Sequence, residues 1–209
     1  MKKEKISEAV IRRLPRYYRF LKEIYATGHT KVSSRAISEK LGITASQVRQ
    51  DFANFGEFGQ QGYGYHVVYL LEQIQKILGL DQVHNVVVLG GGRIGQTIIG
   101  YPTFRTEGFH FLAVFDIEPE KVRGKVPVPV YHISELPAFC REHRVDIATI
   151  STPKEVAHEV AELAASCGIP ALWNFAPTDV HLPGMTVESV HMSESLFMLS
   201  YKMQHQGEK

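Results

Sequence analysis

The sequence predicts an α/β fold in two parts, a winged helix-turn-helix domain followed by a domain with a doubly wound parallel sheet. Two short amphipathic segments joined by a glycine-containing turn predict the first part. An apolar run with glycines at G-x-G-x-x-G spacing, followed by alternating apolar and amphipathic segments, predicts the second. We expect the domains at residues 1–80 and 81–190, and a further helix within residues 191–209.

The composition is ordinary for a soluble globular protein, but the charge is unevenly distributed. Residues 1–80 carry 13 Lys and Arg against 7 Asp and Glu, whereas residues 81–209 carry 10 against 15. This asymmetry favours contact between the first part and a polyanion, although a solvated basic face would carry the same charge. The two cysteines form no C-x-x-C pair, and we find neither a signal peptide nor a membrane-spanning run, so a cytoplasmic protein is expected.

Two helices with apolar residues at helical spacing are predicted at the borders of the first part. The first covers residues 7–26, with Ser7 as its N-cap and Pro15 either kinking the helix or marking its true start. The second covers residues 66–78 and is followed by a linker over residues 80–85.

Between these helices lies the helix-turn-helix pattern. Ser33-Ser34 caps a helix that extends to residue 40, and Thr44 caps another over residues 45–54, whose polar face can bond base edges or phosphates in a major groove. Helical hairpins with polar faces also occur in proteins that never contact DNA. The glycine-rich and aromatic residues 55–65 suit a short hairpin, or wing, after the recognition helix. The predicted DNA-binding residues are Ser33, Ser34, Thr44, Ser46, Gln47, Arg49, Gln50, Gln60, Gln61 and Tyr63.

Residues 86–95, V-V-V-L-G-G-G-R-I-G, predict a Rossmann-like nucleotide-binding turn after a buried parallel strand. Gly90 permits the tight bend, Gly92 lets the backbone approach a pyrophosphate, and Gly95 lets helix and strand pack closely. The helix N-terminus adds unpaired N–H groups and a positive dipole end. The helix should stop at Tyr101-Pro102. The pyrophosphate is expected to contact Gly90, Gly91, Gly92, Arg93, Ile94 and Gly95.

A carboxylate follows the next apolar strand, about twenty residues beyond the glycines. Asp116 is where such a group meets the ribose hydroxyls of NAD, and Ile117 follows it. Because an acid at this position repels a 2′-phosphate, NAD is favoured over NADP. The alternative is that Asp116 merely caps the turn at residues 119–122.

The remaining segments continue the strand and helix alternation. Ser134 is expected to cap a helix through His143, and strands are expected at residues 145–150 and 169–173. Ligands of open α/β sheets bind at the carboxyl ends of strands. By this rule the Asn174–Pro177 loop is expected to border the nicotinamide, but a proline-stopped strand exit explains the loop equally well. The candidate residues at these two strand ends are Thr152 and Pro153, and Asn174, Phe175, Ala176 and Pro177.

A strand near residues 185–190 and an apolar helix over residues 192–204 end the chain. A terminal helix this apolar needs a surface to cover it. The helix either folds onto its own domain or packs against a second subunit. Winged-helix proteins usually bind two-fold operators as dimers, which favours the second alternative. The apolar residues recur at coiled-coil-like spacing: Met192, Leu196, Leu199 and Met203.

The sequence carries almost no recognisable catalytic or metal-binding motif. There is no G-x-S-x-G, no H-E-x-x-H and no Cys/His set at metal spacing, so an enzyme is disfavoured and no metal is expected. Two alternatives stay open, an NAD-dependent oxidoreductase with an appended winged helix and a transcription factor that responds to another adenine nucleotide such as CoA.

In combination, several motifs resemble the Rex redox-sensing transcriptional repressors of bacteria over essentially the full length of the chain. They are R-L-P-R-Y-Y-R (13–19), Q-V-R-Q-D-F (47–52), F-G-E-F-G, G-Y-G-Y, the glycine pattern, F-D-I-E-P (115–119) and N-F-A-P. The resemblance implies a homodimer that exchanges its C-terminal helix. Such a dimer binds a palindromic operator and releases it when NADH replaces NAD⁺. It also implies that Tyr101, Thr152-Pro153 and Asn174–Pro177 approach the cofactor.

This sequence departs from the family pattern at three places. Gln50 stands where lysine is common, and Gln60-Gln61 where the wing is basic, so operator affinity and its salt dependence should be weaker. His191 stands where the family usually has Asp, and a histidine cannot be the acceptor in an ion pair with Arg19. The residues expected to form the switch and the dimer are Arg19, His191, Met192, Leu196 and Leu199.

Overall fold

The computed structural model describes residues 6–54, 59–60 and 64–205. The chain divides into two compact units, Met1–Gln82 and Val83–Lys209. Within the described ranges, no helix has the length and hydropathy needed to cross a bilayer.

The first unit combines helices with a small antiparallel sheet. Its strand order is β1-β3-β2, and β2 and β3 pair where the wing is predicted. Phe55, Gln61 and Tyr63 lie outside the described residues, as does the side chain of Gln60. The elements are α1 (Glu8–Ala26), β1 (Lys31–Val32), α2 (Ser34–Leu41), α3 (Ala45–Ala53), β2 (Gly59–Gln60), β3 (Gly64–His66) and α4 (Val67–Leu78).

The core of the first unit forms where α1, α3 and α4 bury their apolar stripes. α1 continues through Pro15, so Pro15 does not mark its start, and Ser7 caps it without a side-chain hydrogen bond. The rings of Tyr17 and Phe52 meet edge to face at 5.0 Å between centroids. The fully or almost fully buried residues of this core include Leu14, Tyr17, Leu21, Ile37, Val48, Phe52, Val67, Leu70 and Ile74.

The second unit is built on a six-stranded, all-parallel sheet with strand order β6-β5-β4-β7-β8-β9. Counted from β4, this is the order 3-2-1-4-5-6 of a doubly wound dinucleotide-binding fold. The predicted fold class is therefore confirmed. The elements are β4 (His84–Leu89), α5 (Arg93–Ile99), α6 (Pro102–Thr106), β5 (Phe109–Asp116), β6 (Val130–His132), α7 (Leu136–Glu142), β7 (Ile147–Ile150), α8 (Lys154–Ser166), β8 (Ala171–Asn174), β9 (Thr186–Ser189) and α9 (Met192–Gln204).

β4 lies in the interior of the sheet, and both of its faces are covered. Val87 and Leu89 pack in one core cluster with alanines of α8, while Val88 packs in another with Ile99 of α5. The continuous apolar run therefore has the physical cause expected for an interior parallel strand.

Some predicted boundaries were wrong. β4 begins at His84, so the expected linker over residues 80–85 is shorter. Two short elements, α6 and β6, were not predicted, because five- and three-residue elements carry too little periodicity. Ser134 does not cap α7. It lies in a 3-10 turn over Ile133–Glu135, where His132 is the N-cap, and α7 starts only at Leu136.

α9 has no buried residue. Its large apolar side chains are all more than half exposed, so the alternative in which this helix folds onto its own domain is wrong for the single chain. The apolar residues left exposed are Met192, Leu196, Phe197, Met198, Leu199, Tyr201 and Met203.

Candidate functional site

The glycine turn brings the end of β4, the start of α5 and the end of β7 into close contact. Gly90 has φ +102°, and a Cβ there would lie 2.8 Å from the backbone oxygen of Ser151. A Cβ on Gly95 would collide with the carbonyl oxygen of Gly90 and lie 2.9 Å from Ser151 Oγ. These two glycines are required by the packing of the turn itself.

Gly92, by contrast, is exposed, and a Cβ there would meet nothing within 4 Å. Its φ of −69° is also ordinary for any residue. Internal sterics therefore give no reason for a glycine at this position. The open space lies at the N-cap of α5, where first-turn N–H groups have no partner within the helix, which fits a pyrophosphate. Arg93 is exposed beside it, and Ile94 is half-buried.

Asp116 connects the end of β5 to the glycine turn. Its Oδ2 accepts from the N–H of Gly91 at 2.6 Å, and its Oδ1 accepts from the N–H of Glu118 at 2.8 Å. The capping role considered from sequence is not formed, because the N-cap of the turn at residues 119–121 is Glu118 and it has no side-chain cap hydrogen bond, so the bond from Asp116 reaches only the residue before the turn. An ionised carboxylate has about four acceptor positions, so two remain for ribose hydroxyls. Ile117 beside it is exposed.

The carboxyl end of β7 carries a hydroxyl with no hydrogen-bond partner. Ser151 Oγ donates to the carbonyl oxygen of Gly90 at 2.7 Å. Thr152 Oγ1, the next residue, is buried and unpartnered within the described part of the chain. Buried polar atoms are normally satisfied, so this hydroxyl fits a polar ligand group beside the glycine turn. Pro153 follows as the N-cap of α8.

Asn174 shapes the loop at the end of β8. Its Nδ2 donates to Thr178 O at 2.8 Å and to Ser189 Oγ at 3.2 Å, and its Oδ1 accepts from Ala176 N at 3.0 Å. Because both amide hydrogens are used, the side chain of Asn174 holds the loop. Ala176 is buried, Phe175 is half-buried and Pro177 is exposed.

Tyr101 lies at the N-cap of α6 and is exposed. Its ring packs at a tilt against Phe104, 5.1 Å between centroids. Phe104 in turn lines an almost wholly apolar cavity of about 290 Å³ on the sheet, together with Phe109, Phe111 and Trp173. Sequence reasoning did not identify this cavity, because its walls come from α6 and five strands.

On the first unit, the hydroxyls at two predicted DNA-binding positions cap helices. Ser33 Oγ accepts from Ala36 N and Thr44 Oγ1 accepts from Gln47 N, each at 3.1 Å. Arg49 Nη1 donates to Ser34 Oγ at 3.3 Å, so α2 and α3 bring two of the predicted residues together. Ser46, Arg49 and Gln50 are exposed on α3.

A buried carboxylate lies behind the exposed face of α3. Asp51 is 0 % exposed and forms a bidentate ion pair with Arg13, whose Nε and Nη2 donate at 2.6 and 2.8 Å. Tyr17 OH also donates to it at 2.6 Å, and Gln47 Nε2 at 2.8 Å. Burial alone would raise the pKa of Asp51, but the hydrogen bonds from Arg13, Tyr17 and Gln47 outweigh burial and hold it below its ordinary value.

We call Arg13, Tyr17, Gln47 and Asp51 the Asp51 cluster. Sequence reasoning missed three of its members. The available signal was an acidic residue within the apolar pattern of Val48 and Phe52, which requires a partner, and an Arg and a Tyr four residues apart on α1. The same burial raises the pKa of Tyr17 far above its ordinary value.

His191 also has an unexpected partner. Its Nε2 lies 3.0 Å from Asp179 Oδ1, in the loop after β8. A carboxylate is therefore present beside the position where the family pattern has Asp. Arg19 is exposed on α1. Among the described residues, no group of three or more His, Cys, Asp or Glu could hold a metal ion.

Two family models match this chain. "Putative DNA-binding protein N-terminus" matches residues 5–53, and "CoA binding domain" matches residues 81–178. A relative in Thermoanaerobacter pseudethanolicus, named redox-sensing transcriptional repressor Rex, is 45 % identical over 204 residues, which cover 97 % of this chain and 91 % of that protein.

Solved structures of a protein named RSP are also similar. RSP in complex with β-NAD⁺ and operator DNA is 43 % identical with a TM-score of 0.88, covering 97 % of this chain and 94 % of RSP. RSP in complex with β-NADH is 40 % identical with a TM-score of 0.87, covering 96 % and 95 %.

Proposed function

This chain belongs to the Rex family of redox-sensing transcriptional repressors, and we propose that it binds palindromic operator DNA and releases it when NADH replaces NAD⁺. The similarity to RSP carries this proposal, because it extends over 97 % of the chain and RSP has been solved with both β-NAD⁺ and operator DNA. The close relatives are repressors rather than enzymes.

The second unit supports the input half of the sensor. Gly92 leaves open space at the N-cap of α5, and among the residues that the structure describes Asp116 keeps free acceptor positions and the Thr152 hydroxyl has no partner. We assign the pyrophosphate to residues 90–95, the adenosine ribose to Asp116 and Ile117, and the nicotinamide end to Tyr101 and the loops at Thr152–Pro153 and Asn174–Pro177. Asn174 would act by shaping its loop.

The first unit supports the output half. We assign operator contacts to α3 through Ser46, Gln47, Arg49 and Gln50, to Ser34 at the start of α2, and to the wing residues Gln60, Gln61 and Tyr63. Ser33 and Thr44 would contribute by capping α2 and α3. We place this protein in the cytoplasm, where the operator is.

The exposed α9 supports a homodimer. Seven large apolar side chains in contact with water are unfavourable, and an apolar cavity beside Phe104 and Trp173 is available on the sheet. We propose that α9, within residues 191–209, is exchanged between subunits. Residues 1–80 would then bind DNA and residues 81–190 would bind the nucleotide.

The switch requires a difference in affinity between two states. NADH can displace the operator only if it binds the DNA-free arrangement more tightly than the DNA-bound one. Arg19 and His191 are the residues we assign to this coupling, with Asp179 as the carboxylate that accompanies His191.

The test is operator binding by fluorescence anisotropy, titrated separately with NADH, NAD⁺ and CoA. We expect NADH to weaken operator binding strongly, NAD⁺ to leave it intact and CoA to have no effect. Equal operator affinity with NADH and NAD⁺ would refute the sensor. A response to CoA alone would support the adenine-nucleotide alternative, and substrate-dependent oxidation of NADH would support an oxidoreductase.

A further inference from the structure

The Asp51 cluster fills every acceptor position of its carboxylate. Oδ2 accepts from Arg13 Nε and Tyr17 OH, and Oδ1 accepts from Arg13 Nη2 and Gln47 Nε2, at 2.6 to 2.8 Å. With about four acceptor positions on a carboxylate, Asp51 has none left for DNA. Since it is fully buried, its effect on a ligand must pass through a neighbour.

Gln47 is the neighbour that reaches the recognition surface. It lies one turn before Asp51 on α3, between the exposed Ser46 and the buried Val48, and it is half-buried. Its backbone is fixed as well, because its N–H donates to Thr44 Oγ1 at 3.1 Å.

The carboxylate determines which end of the Gln47 amide faces inward. An ionised carboxylate only accepts hydrogen bonds, so the amide nitrogen must face Asp51. The low pKa of Asp51 keeps the group ionised at neutral pH. The carbonyl oxygen, Oε1, is then directed away from Asp51, and in the part of the chain that the structure describes no group donates a hydrogen bond to it.

We propose that the Asp51 cluster is a positioning device that presents Oε1 of Gln47 to the major groove, so that this glutamine selects an amino base over a keto base at one position of each half-site. Adenine and cytosine carry an exocyclic amino donor in the major groove, whereas guanine and thymine present a carbonyl acceptor at the equivalent place. Arg13, Tyr17 and Asp51 are positioning residues. The inference rests on the proposed operator binding.

The test uses the full-length protein and operators selected by it from a random duplex pool. Each half-site position is changed symmetrically to all four bases, and affinities are measured by anisotropy. We expect one position at which an amino base is preferred by about tenfold or more. In Gln47→Met that preference falls to within about twofold, while preferences elsewhere remain.

Gln73→Met is the matched control, because it removes a half-buried amide from α4 that is not among the residues assigned to operator contacts. It leaves the preference at the Gln47 position intact. A keto preference at that position, or unchanged preferences in Gln47→Met, would overturn this inference but leave the proposed function standing. A wild-type protein that prefers no operator would contradict the proposed function and this inference together.

Asp51→Asn tests the positioning itself. An Asn side chain both donates and accepts, so it no longer dictates the orientation of the Gln47 amide, and the amino preference should fall several-fold while binding to unrelated duplexes persists. Arg13→Lys leaves Asp51 facing Gln47 as a partner that only accepts hydrogen bonds, so the amino preference is retained. The thermal midpoint of this variant is lowered. Full preference in Asp51→Asn would remove the positioning role.

If circular dichroism shows that Asp51→Asn is unfolded, the double variant Arg13→Gln/Asp51→Asn is measured instead, because it leaves no unpaired buried charge. The same loss of preference is expected, and its retention overturns the role of Asp51.

Discussion

At the scale of single residues, Gly92 and Gly95 are three positions apart in one turn, yet a side chain at each would meet different surroundings. A Cβ on Gly95 collides with the carbonyl of Gly90, whereas a Cβ on Gly92 enters open space. Gly95 therefore serves the fold, and Gly92 is free to serve a ligand. Substitution separates the two roles.

Gly92→Ser should weaken NADH binding by about tenfold or more, because the new side chain occupies the space proposed for the pyrophosphate. Serine is a good N-cap, so the thermal midpoint should not fall. Gly95→Ser should lower both the NADH affinity and the thermal midpoint. Nucleotide fluorescence titration and thermal unfolding measure the two effects, and undiminished NADH affinity in Gly92→Ser would refute the assignment.

His191 provides a second prediction at this scale. His191→Asp restores the residue common in the family, and we expect the ratio of operator dissociation constants with NADH and NAD⁺ to rise about fivefold or more. Because Asp179 lies beside this position, Asp179→Asn/His191→Asp is the control without like-charge repulsion. An unchanged ratio in both variants would make His191 a neutral replacement.

At the scale of elements, the ion pair between Arg13 and Asp51 fastens α3 to α1. The partners are 38 positions apart in sequence, and the carboxylate is completely buried. Removing one partner leaves the other without its counter-charge, which costs more than a surface pair contributes.

The lowered pKa of Asp51 predicts a pH dependence with a definite sign. A carboxyl whose pKa is lower when folded stabilises the fold above its unfolded pKa, about 3.9, and loses that contribution as pH falls through its folded pKa. Asp51→Asn should therefore be less stable than wild type by about 1–3 kcal/mol at pH 7.

Thermal unfolding of both proteins from pH 7 to pH 2 tests this prediction. The difference between their midpoints should start to shrink as pH falls below the unfolded pKa of about 3.9, and it should be lost as pH falls through the lower pKa of folded Asp51. Taking the difference cancels other carboxyls with lowered pKa values, such as Asp146. A difference independent of pH would contradict the role of the charge.

At the scale of the whole molecule, α9 is a helix that buries none of its residues in the single chain. Leu196 and Leu199 are more than half exposed in the single chain. Glutamate at these positions therefore costs little in a monomer but is unfavourable in an interface.

Leu196→Glu/Leu199→Glu should convert the dimer to a monomer with unchanged circular dichroism. Operator affinity should fall by about 100-fold or more, since a monomer contacts one half-site and loses the avidity of two. Sedimentation and anisotropy measure these changes. Glu194→Gln, on the opposite side of α9, is the control and should remain dimeric. A dimeric double variant would refute exchange through α9.

The sequence by itself determined what depends on neighbouring residues. The spacing of Gly90 and Gly95 predicted the strand-to-helix turn, because backbone sterics act over a few residues. Apolar periodicity located α1 and α9, and the buried run at Val86–Leu89 identified a central parallel strand. Short elements such as β6 escaped, since three residues carry almost no periodicity.

Only the tertiary structure decided what depends on groups brought together from distant positions. It joined Asp51 to Arg13 and Tyr17, paired His191 with Asp179, and formed the cavity beside Phe104 from several strands. Within the described ranges it also left Asn174 with its amide hydrogens donated and the hydroxyl of Thr152 without a hydrogen-bond partner. Spacing along a chain specifies which groups are present, whereas burial and hydrogen-bond satisfaction are set by packing.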